Sequence, residues 1–462
     1  MSGALATGLP SAGTLAALLA GGAVAVAVLA VLMRRREDAL PLLAVLALPF
    51  RVPVAADGRT VNLLIPLYVV IAAGTVAHLL PRLLAARAGA PSLASAESAG
   101  DPRARRRARR LQWLLLGAVV LYVLQIAYSD DRAKAAENVA FFYVPFGLLF
   151  VLLRDVRWTR ELIVRCLALL AGLAVVLAGV GFVEYGQKKL FLNPKLVAAN
   201  QYDNFFRVNS VFFDPSIYGR FLMLVMLCVM TAVLWGSRRE AKIGAAVLAW
   251  LLAGLVTSFS QSSIAALLVG LAVLAAFCWG WERTAIAVGA LALLAAAVVA
   301  LAPEGWHLGL SGKHGSANNA TTGRAGLVEG GLELFADRPL EGFGSGSFER
   351  EYKLHVSARQ ATSQNATSAS HTIPVTVAAE QGIVGLAVYV SLLVAAFLVL
   401  FDGAGRSPPR IALAACFVAL VLHTWTYADF LEDPFTWALL AIGVALARAP
   451  RESPATPPAT TV

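Results

Sequence analysis

A histidine and a carboxylate a few turns apart can form an acid–base pair. The stretch SHTIPVTVAAEQGIVG (370–385) offers one candidate set, His371 and Glu380. His371 stands where a polar segment meets a very apolar one, and Glu380 lies well inside the apolar run. Helix geometry argues against direct pairing. Nine residues at about 1.5 Å each separate the two by roughly 13 Å, and steps of about 100° put them on opposite faces. Only distortion of the first turns by Pro374 would change that. A buried acid must be paired or protonated. Glu380 is therefore expected to have a structural partner on a neighbouring span, with Gly382 and Gly385 permitting close helix approach. His371 at a helix N-terminus faces a macrodipole that disfavours imidazolium, so the ring stays neutral and able to accept a proton. The plainer alternative is a histidine capping the helix at headgroup level.

Further polar residues border the apolar runs. In AANQYDNFFRVNSVFFDPSIYGRFLMLVML (198–227), Asp214 is placed to cap a helix whose first turn holds Pro215. Arg207 precedes that helix and Arg220 falls on its first turns; both either anchor it at lipid headgroups or serve a site. TSFSQSSIAAL (257–267) puts hydroxyls and Gln261 between two apolar runs. These bond between helices, or Gln261 faces a polar cavity shared with Arg207 and His371. In TTGRAGLVEGGLELFADRPLEGFGSGSFEREY (321–352), apolar residues at Leu327, Val328, Leu332, Leu334 and Phe335 suit an amphipathic helix with Arg324 near its start. The GFGSG that follows has no preceding strand and completes no nucleotide fingerprint, so it is expected to be a turn. DFLEDP (429–434) is expected to be a capped helix end.

The elements that position these residues follow from composition. Of 462 residues, 58% are hydrophobic and only 14% charged. Apolar runs of spanning length recur from end to end, which defines a polytopic membrane protein. Hydrocarbon leaves no water for the backbone, and runs without polar alternation indicate helices rather than a barrel. The spans are placed at roughly 14–33, 39–56, 61–81, 111–128, 137–153, 162–184, 216–235, 243–258, 263–280, 285–301, 372–401, 411–428 and 434–448. The four cysteines, Cys166, Cys228, Cys278 and Cys416, sit in or beside apolar segments without CxxC spacing, so neither disulfide nor metal site is expected.

The net charge of +10 suggests nucleic acid, yet its placement argues otherwise. Alternate connections carry RRRED (34–38), the arginine-rich 82–110, RDVRWTRE (154–161), GSRREAK (236–242) and GRSPPR (405–410). Basic connections stay in the cytoplasm, and RARRRARR (103–110) is expected to anchor topology and touch anionic lipid. The chain accordingly divides into N-terminal spans over 1–301, with a cytoplasmic basic loop at 82–110 and an external segment at 185–215. A large external loop (302–370), C-terminal spans (371–448) and a disordered cytoplasmic tail (449–462) complete it. SARQATSQNATSAS (357–370) is expected to be a linker or lid, and the N-x-T triplets at Asn319 and Asn365 indicate exposure.

Taken in order, RVNSVFFDPSIYG, SFSQSS, GRAGLVEGGLELFADRPLEGFGSGSF and SHTIPVTVAAEQGIVGLAVYV make the chain resemble the O-antigen ligase-like family. That family comprises O-antigen ligases, O-antigen and exopolysaccharide polymerases, and protein O-oligosaccharyltransferases. The resemblance implies an all-α, GT-C-like bundle of about 12–13 transmembrane helices, with short amphipathic helices in its large external loop. Family positions fall on Arg207, Arg324 and His371 as catalytic residues, and on Glu380, Gly382 and Gly385 as a structural turn. Gln261 stands where the family often has arginine, and Thr372 where it often has asparagine. One expected phosphate-binding cation is thereby missing, and Arg220 is the candidate replacement. Arg220, Gln261 and Asp214 complete the implied substrate-binding set.

Such proteins move a glycan from a polyprenyl (undecaprenyl) diphosphate carrier to a hydroxyl of a glycan, lipid or protein acceptor. They act at the outer, periplasmic face of the cytoplasmic membrane, in lipopolysaccharide and cell-envelope synthesis. The resemblance thus implies an inverting glycosyltransferase in which arginines bind diphosphate oxygens and His371 takes the acceptor proton. No metal, cofactor or nucleic acid is expected to take part. A polymerase of the same superfamily is the alternative, differing in acceptor. A lipid-linked glycan flippase is a second alternative, for which inverted repeats would be expected and none is visible.

Overall fold

Apolar runs without backbone partners in lipid must bond within themselves, and the chain does so almost throughout. A computed structural model describes residues 12–56, 59–88, 101–191, 206–301, 324–356 and 370–449. The lid segment 357–369, both N-x-T triplets, the tail from 450 and most of 185–205 lie outside the described residues.

In chain order the helices are α1 (Ala12–Arg35) and α2 (Ala39–Ala47), followed by the strands β1 (Val52–Ala56) and β2 (Arg59–Leu63). Then come α3 (Ile65–Arg87), α4 (Pro102–Gln125), α5 (Arg132–Arg154), α6 (Arg160–Gln187), α7 (Pro215–Trp235) and α8 (Arg238–Thr257). After α9 (Gln261–Trp279) and α10 (Trp281–Leu301) come α11 (Arg324–Asp337) and the short α12 (Phe348–Glu351). α13 (Ile373–Phe401), α14 (Pro408–Thr426) and α15 (Pro434–Arg448) close the chain. Among the described residues, eight helices are long and apolar enough to cross a membrane: α3, α5 to α9, α13 and α14. The protein is an all-helical, multi-pass membrane protein apart from one hairpin.

Two expectations need correction. The span placed at 39–56 does not form. Helix α2 has nine residues, about 13 Å against the ~30 Å of a hydrocarbon core. The chain then turns back as an antiparallel hairpin pairing Val52 with Leu63. A two-stranded hairpin is all edge, so Pro53, which cannot donate, is tolerated. The basic stretch RARRRARR is not loop but the first turns of α4, where Asp101 caps the helix by accepting from the Arg103 N–H at 2.9 Å. Ala104, Ala108, Leu111, Leu115 and Ala118 form its buried stripe, leaving the intervening arginines facing outward or half-buried.

The apolar interior has two parts, one around α1 to α5, α13 and α15, the other around α6 to α9. Helix α14 supplies residues to both, Phe417 to the first and Ala415, Cys416 and Ala419 to the second. Together α7 and α14 are the most enclosed spans. Ion pairs Arg82–Asp155 (2.6 Å), Arg165–Asp38 (2.9 Å) and Arg107–Asp402 (2.9 Å) join the basic connections at one end of the bundle. The polar residues singled out above gather at the opposite end.

At that opposite end α13 is broken. Gly382 adopts φ 61°, ψ −161°, outside helical space. The segment 339–344 fills the break: the Phe343 and Gly344 N–H groups donate to the carbonyls of Ala379 (3.1 Å) and Glu380 (2.7 Å). The Ile383 N–H donates to Pro339 O at 2.8 Å. A Cβ at Gly382 would stand 2.2 Å from Leu340 O, and one at Gly342 (φ 68°) 2.4 Å from the Glu380 carbonyl. The same segment is tied to the turn after α4, where Ser129 Oγ donates to Ser345 O at 2.9 Å. Helix α11 forms as expected, burying Leu327 and Leu334 beside Phe343, Phe348, Tyr352 and Ala379.

Candidate functional site

Four stretches meet at the polar end: the approach to α7, the α8–α9 turn, the approach to α13 and the α14–α15 connection. Asp214 caps α7, accepting from the Ser216 N–H at 2.6 Å, with Pro215 in the first turn. Ahead of it, Val208 N–H donates to Thr257 O (3.2 Å) and Arg207 Nε to Ser258 O (3.3 Å), so the arginine is laid along the α8–α9 turn. Glu184, at the end of α6, fixes this strap by accepting from the N–H groups of Ser210 (2.8 Å) and Asn209 (3.3 Å).

The turn itself is a serine network. Ser258 Oγ accepts from the Ser260 N–H at 3.2 Å, and Ser260 caps α9. Ser260 Oγ lies 2.8 Å from Ser263 Oγ, and Ser263 Oγ lies 3.0 Å from His423 Nε2. Gln261 opens α9 and is exposed. His423 was missed by sequence reasoning, although an ionisable residue inside an apolar span is itself a signal. Its tautomer follows from its partners. Arg220 Nε donates to His423 Nδ1 at 3.1 Å, and guanidinium can only donate. Nδ1 is therefore bare, and Nε2 carries the proton toward Ser263.

Arg220 does not serve as the replacement cation facing an open site. It is 1% exposed, and its guanidinium is engaged on every nitrogen. Nη1 pairs with Asp433 and bonds Asp429 O (3.2 Å), and Nη2 donates to Ala428 O at 2.6 Å. Desolvation of a charge so deep inside demands such partners. Arg220 thus braces the 428–433 connection against α7. Asp433 also caps α15, accepting from the Phe435 N–H at 2.9 Å, as expected for DFLEDP.

His371 is half-buried, with φ 57°, and lies two residues before the first helical residue of α13. Its neighbour Thr372 donates through Oγ1 to Trp425 O at 2.5 Å, tying it to the end of α14. The His371 ring packs against Tyr427 with centroids 5.7 Å apart. Tyr427 also faces His423 (5.7 Å) and lies 5.6 Å from the Arg220 guanidinium. Burial, then the carboxylates of Asp214 and Asp429, hold the Tyr427 phenol well above its usual range, so it stays protonated.

Arg324 opens α11. That helix packs at the start of α13, where a Cβ on Gly331 would stand 2.5 Å from Val375 Cγ1 and 3.6 Å from Ser370 Cβ. Glu380 finds its partner in the loop rather than on a neighbouring span, accepting from the Phe348 N–H at 3.1 Å. Gly382 admits the loop backbone rather than a helix. Gly385 makes room for the side chain of Gln381, which a Cβ would meet at 2.1 Å. The structure thus brings Arg207, Gln261, Asp214 and His371 to one end of the bundle and separates Glu380 from the histidine.

These features define a multi-pass helical membrane protein with cationic, imidazole and hydroxyl groups gathered at one end of its bundle. Residues 244–390 match the O-antigen ligase family, and over that segment the chain is O-antigen ligase-like. The match takes in Gln261, Arg324, His371 and Glu380, and leaves out Arg207, Arg220, His423 and Tyr427. No curated protein matches the chain.

Proposed function

We propose that this protein transfers a glycan from a polyprenyl diphosphate carrier to an acceptor hydroxyl at the outer face of the cytoplasmic membrane. The observation that supports this reading is that His371, packed on Tyr427, and Arg207, laid along the α8–α9 turn, lie at the same polar end of a chain that is O-antigen ligase-like over 244–390. The acceptor oxygen attacks the anomeric carbon, and the carbon–oxygen bond to the diphosphate breaks on the opposite side, inverting the centre. The lipid diphosphate leaves with the bonding electron pair, and His371 takes the acceptor proton.

Arg207 and Arg324 stabilise the departing diphosphate, since a planar guanidinium offers paired donors to phosphate oxygens. Gln261, exposed at the start of α9, adds a neutral hydrogen-bond donor to the sugar or phosphate. Basic groups gathered at the other end of the bundle support a cytoplasmic placement for that end and an outward one for the site.

The test is transfer of labelled glycan in proteoliposomes supplied with the lipid-linked donor and an acceptor, without nucleotide. Wild type should transfer and His371→Ala should not. Movement of labelled lipid across the bilayer with no glycosyl transfer would overturn the reading.

A further inference from the structure

Tyr427 stands outside the matched segment. Its ring nevertheless faces His371 at 5.7 Å and His423 at 5.7 Å, and lies 5.6 Å from the guanidinium of Arg220. Its hydroxyl stands beside the carboxylate of Asp214, the cap of α7. One side chain therefore touches the approach to α13, the interior of α14, the second turn of α7 and that helix's cap.

We infer that Tyr427 is a positioning residue for His371, its ring fixing the plane of the imidazole relative to the diphosphate-binding end. Three features point that way. His371 precedes α13 with positive φ, so its ring is carried by the turn before the helix rather than by the helix itself. The Tyr427 ring is itself immobilised, because Arg220 and His423 are buried and mutually bonded beneath it. Thr372 donates to Trp425 O, so the backbone on both sides of the ring contact is tied to the same connection. A base that must meet an acceptor proton within hydrogen-bond reach depends on such placement, and an error of about 1 Å can cost on the order of 10²-fold.

This inference rests on the proposed transfer reaction, and the experiment separates the two. Wild-type protein that transfers no glycan removes the reaction itself. If wild type transfers, Tyr427→Leu should lower kcat about tenfold to a hundredfold with little change in the donor KM. Tyr427→Phe, which keeps the ring, should restore kcat to within about threefold of wild type.

Diethylpyrocarbonate labelling of His371, followed by mass spectrometry, gives a readout independent of turnover. The residue should label faster in Tyr427→Leu than in wild type or Tyr427→Phe. Should Tyr427→Leu fail to fold, Tyr427→Met keeps comparable bulk without the ring and should show the same kcat loss and faster labelling. A folded Leu or Met variant with wild-type kcat and labelling would overturn the inference. So would a Tyr427→Phe variant as impaired as these.

Discussion

The carboxylate of Glu380 accepts the backbone N–H of Phe348 at 3.1 Å, across 32 residues of sequence. The acid that follows His371 into α13 therefore serves the segment that carries α12, not the histidine. It caps the short helix α12, and its own carbonyl receives Gly344 N–H at 2.7 Å. Gly382 makes this possible by interrupting α13, so the loop bonds carbonyls that an unbroken helix would have used itself.

Replacing Gly382 should be costly. Alanine there would combine a left-handed φ with a Cβ 2.2 Å from Leu340 O. The expected loss is about 2–4 kcal/mol, the sum of backbone strain and displacement of the loop. Thermal unfolding in detergent should show a clearly lowered Tm for Gly382→Ala, and limited proteolysis should cut first within 338–348.

The Arg220–Asp433 pair predicts a non-additive cycle. Removing either partner strands a buried charge, so Arg220→Met and Asp433→Leu should each destabilise by about 3–5 kcal/mol. The double variant leaves no unpaired charge and should lose less than the two single effects combined. Additive losses in thermal unfolding would show that the pair does not act as a unit.

For chemistry, His371→Ala should lower kcat by about 10²–10⁴-fold while the protein stays monodisperse. Arg207→Ala should lower kcat/KM by roughly 10–100-fold, the value of one or two charge-assisted hydrogen bonds. Arg207→Lys should fall between, since it keeps charge but loses the planar fork. Glycan transfer by each variant at several donor concentrations checks all three.

Glu432 lies in the α14–α15 connection, accepting from Tyr143 Oη (3.1 Å) and Asn138 Nδ2 (3.4 Å). Burial, then the carboxylates of Asp429 and Glu380, push its pKa above the ordinary carboxylate range. The folded protein thus binds this proton more tightly than the unfolded chain. Its stabilisation is complete below the unfolded value and is lost as pH rises through the raised folded value. Glu432→Gln, which stays neutral, should flatten the decline of Tm between about pH 5 and pH 9 relative to wild type.

Much of the architecture was legible because helix formation in lipid is a local demand. Each apolar run must satisfy its own backbone, and the caps at Asp214, Ser260 and Asp433 act within three residues of themselves. The run at 39–56 misled because hydrophobicity does not distinguish a span from a short helix followed by a hairpin. The arginines of 103–110 misled in the opposite sense: charge suggested loop, while alanines at every fourth position built a helix face. The residues of the candidate site were legible only as polar positions, not as a site. Arg207, Gln261, Asp214 and His371 were found from polarity beside apolar runs, whereas Tyr427 resembles any interfacial tyrosine.

The sequence by itself determined the membrane class, the helical build, the grouping of basic connections and the separation of His371 from Glu380. All of these follow from composition and from spacing along one helix. Tertiary structure alone decided that Arg220 is enclosed by Asp433 and His423, more than 200 residues away. It also decided that Glu380 holds a loop and that Tyr427 sits against His371. Such pairings depend on which helix faces meet, and no local periodicity encodes which partner a buried polar group will find.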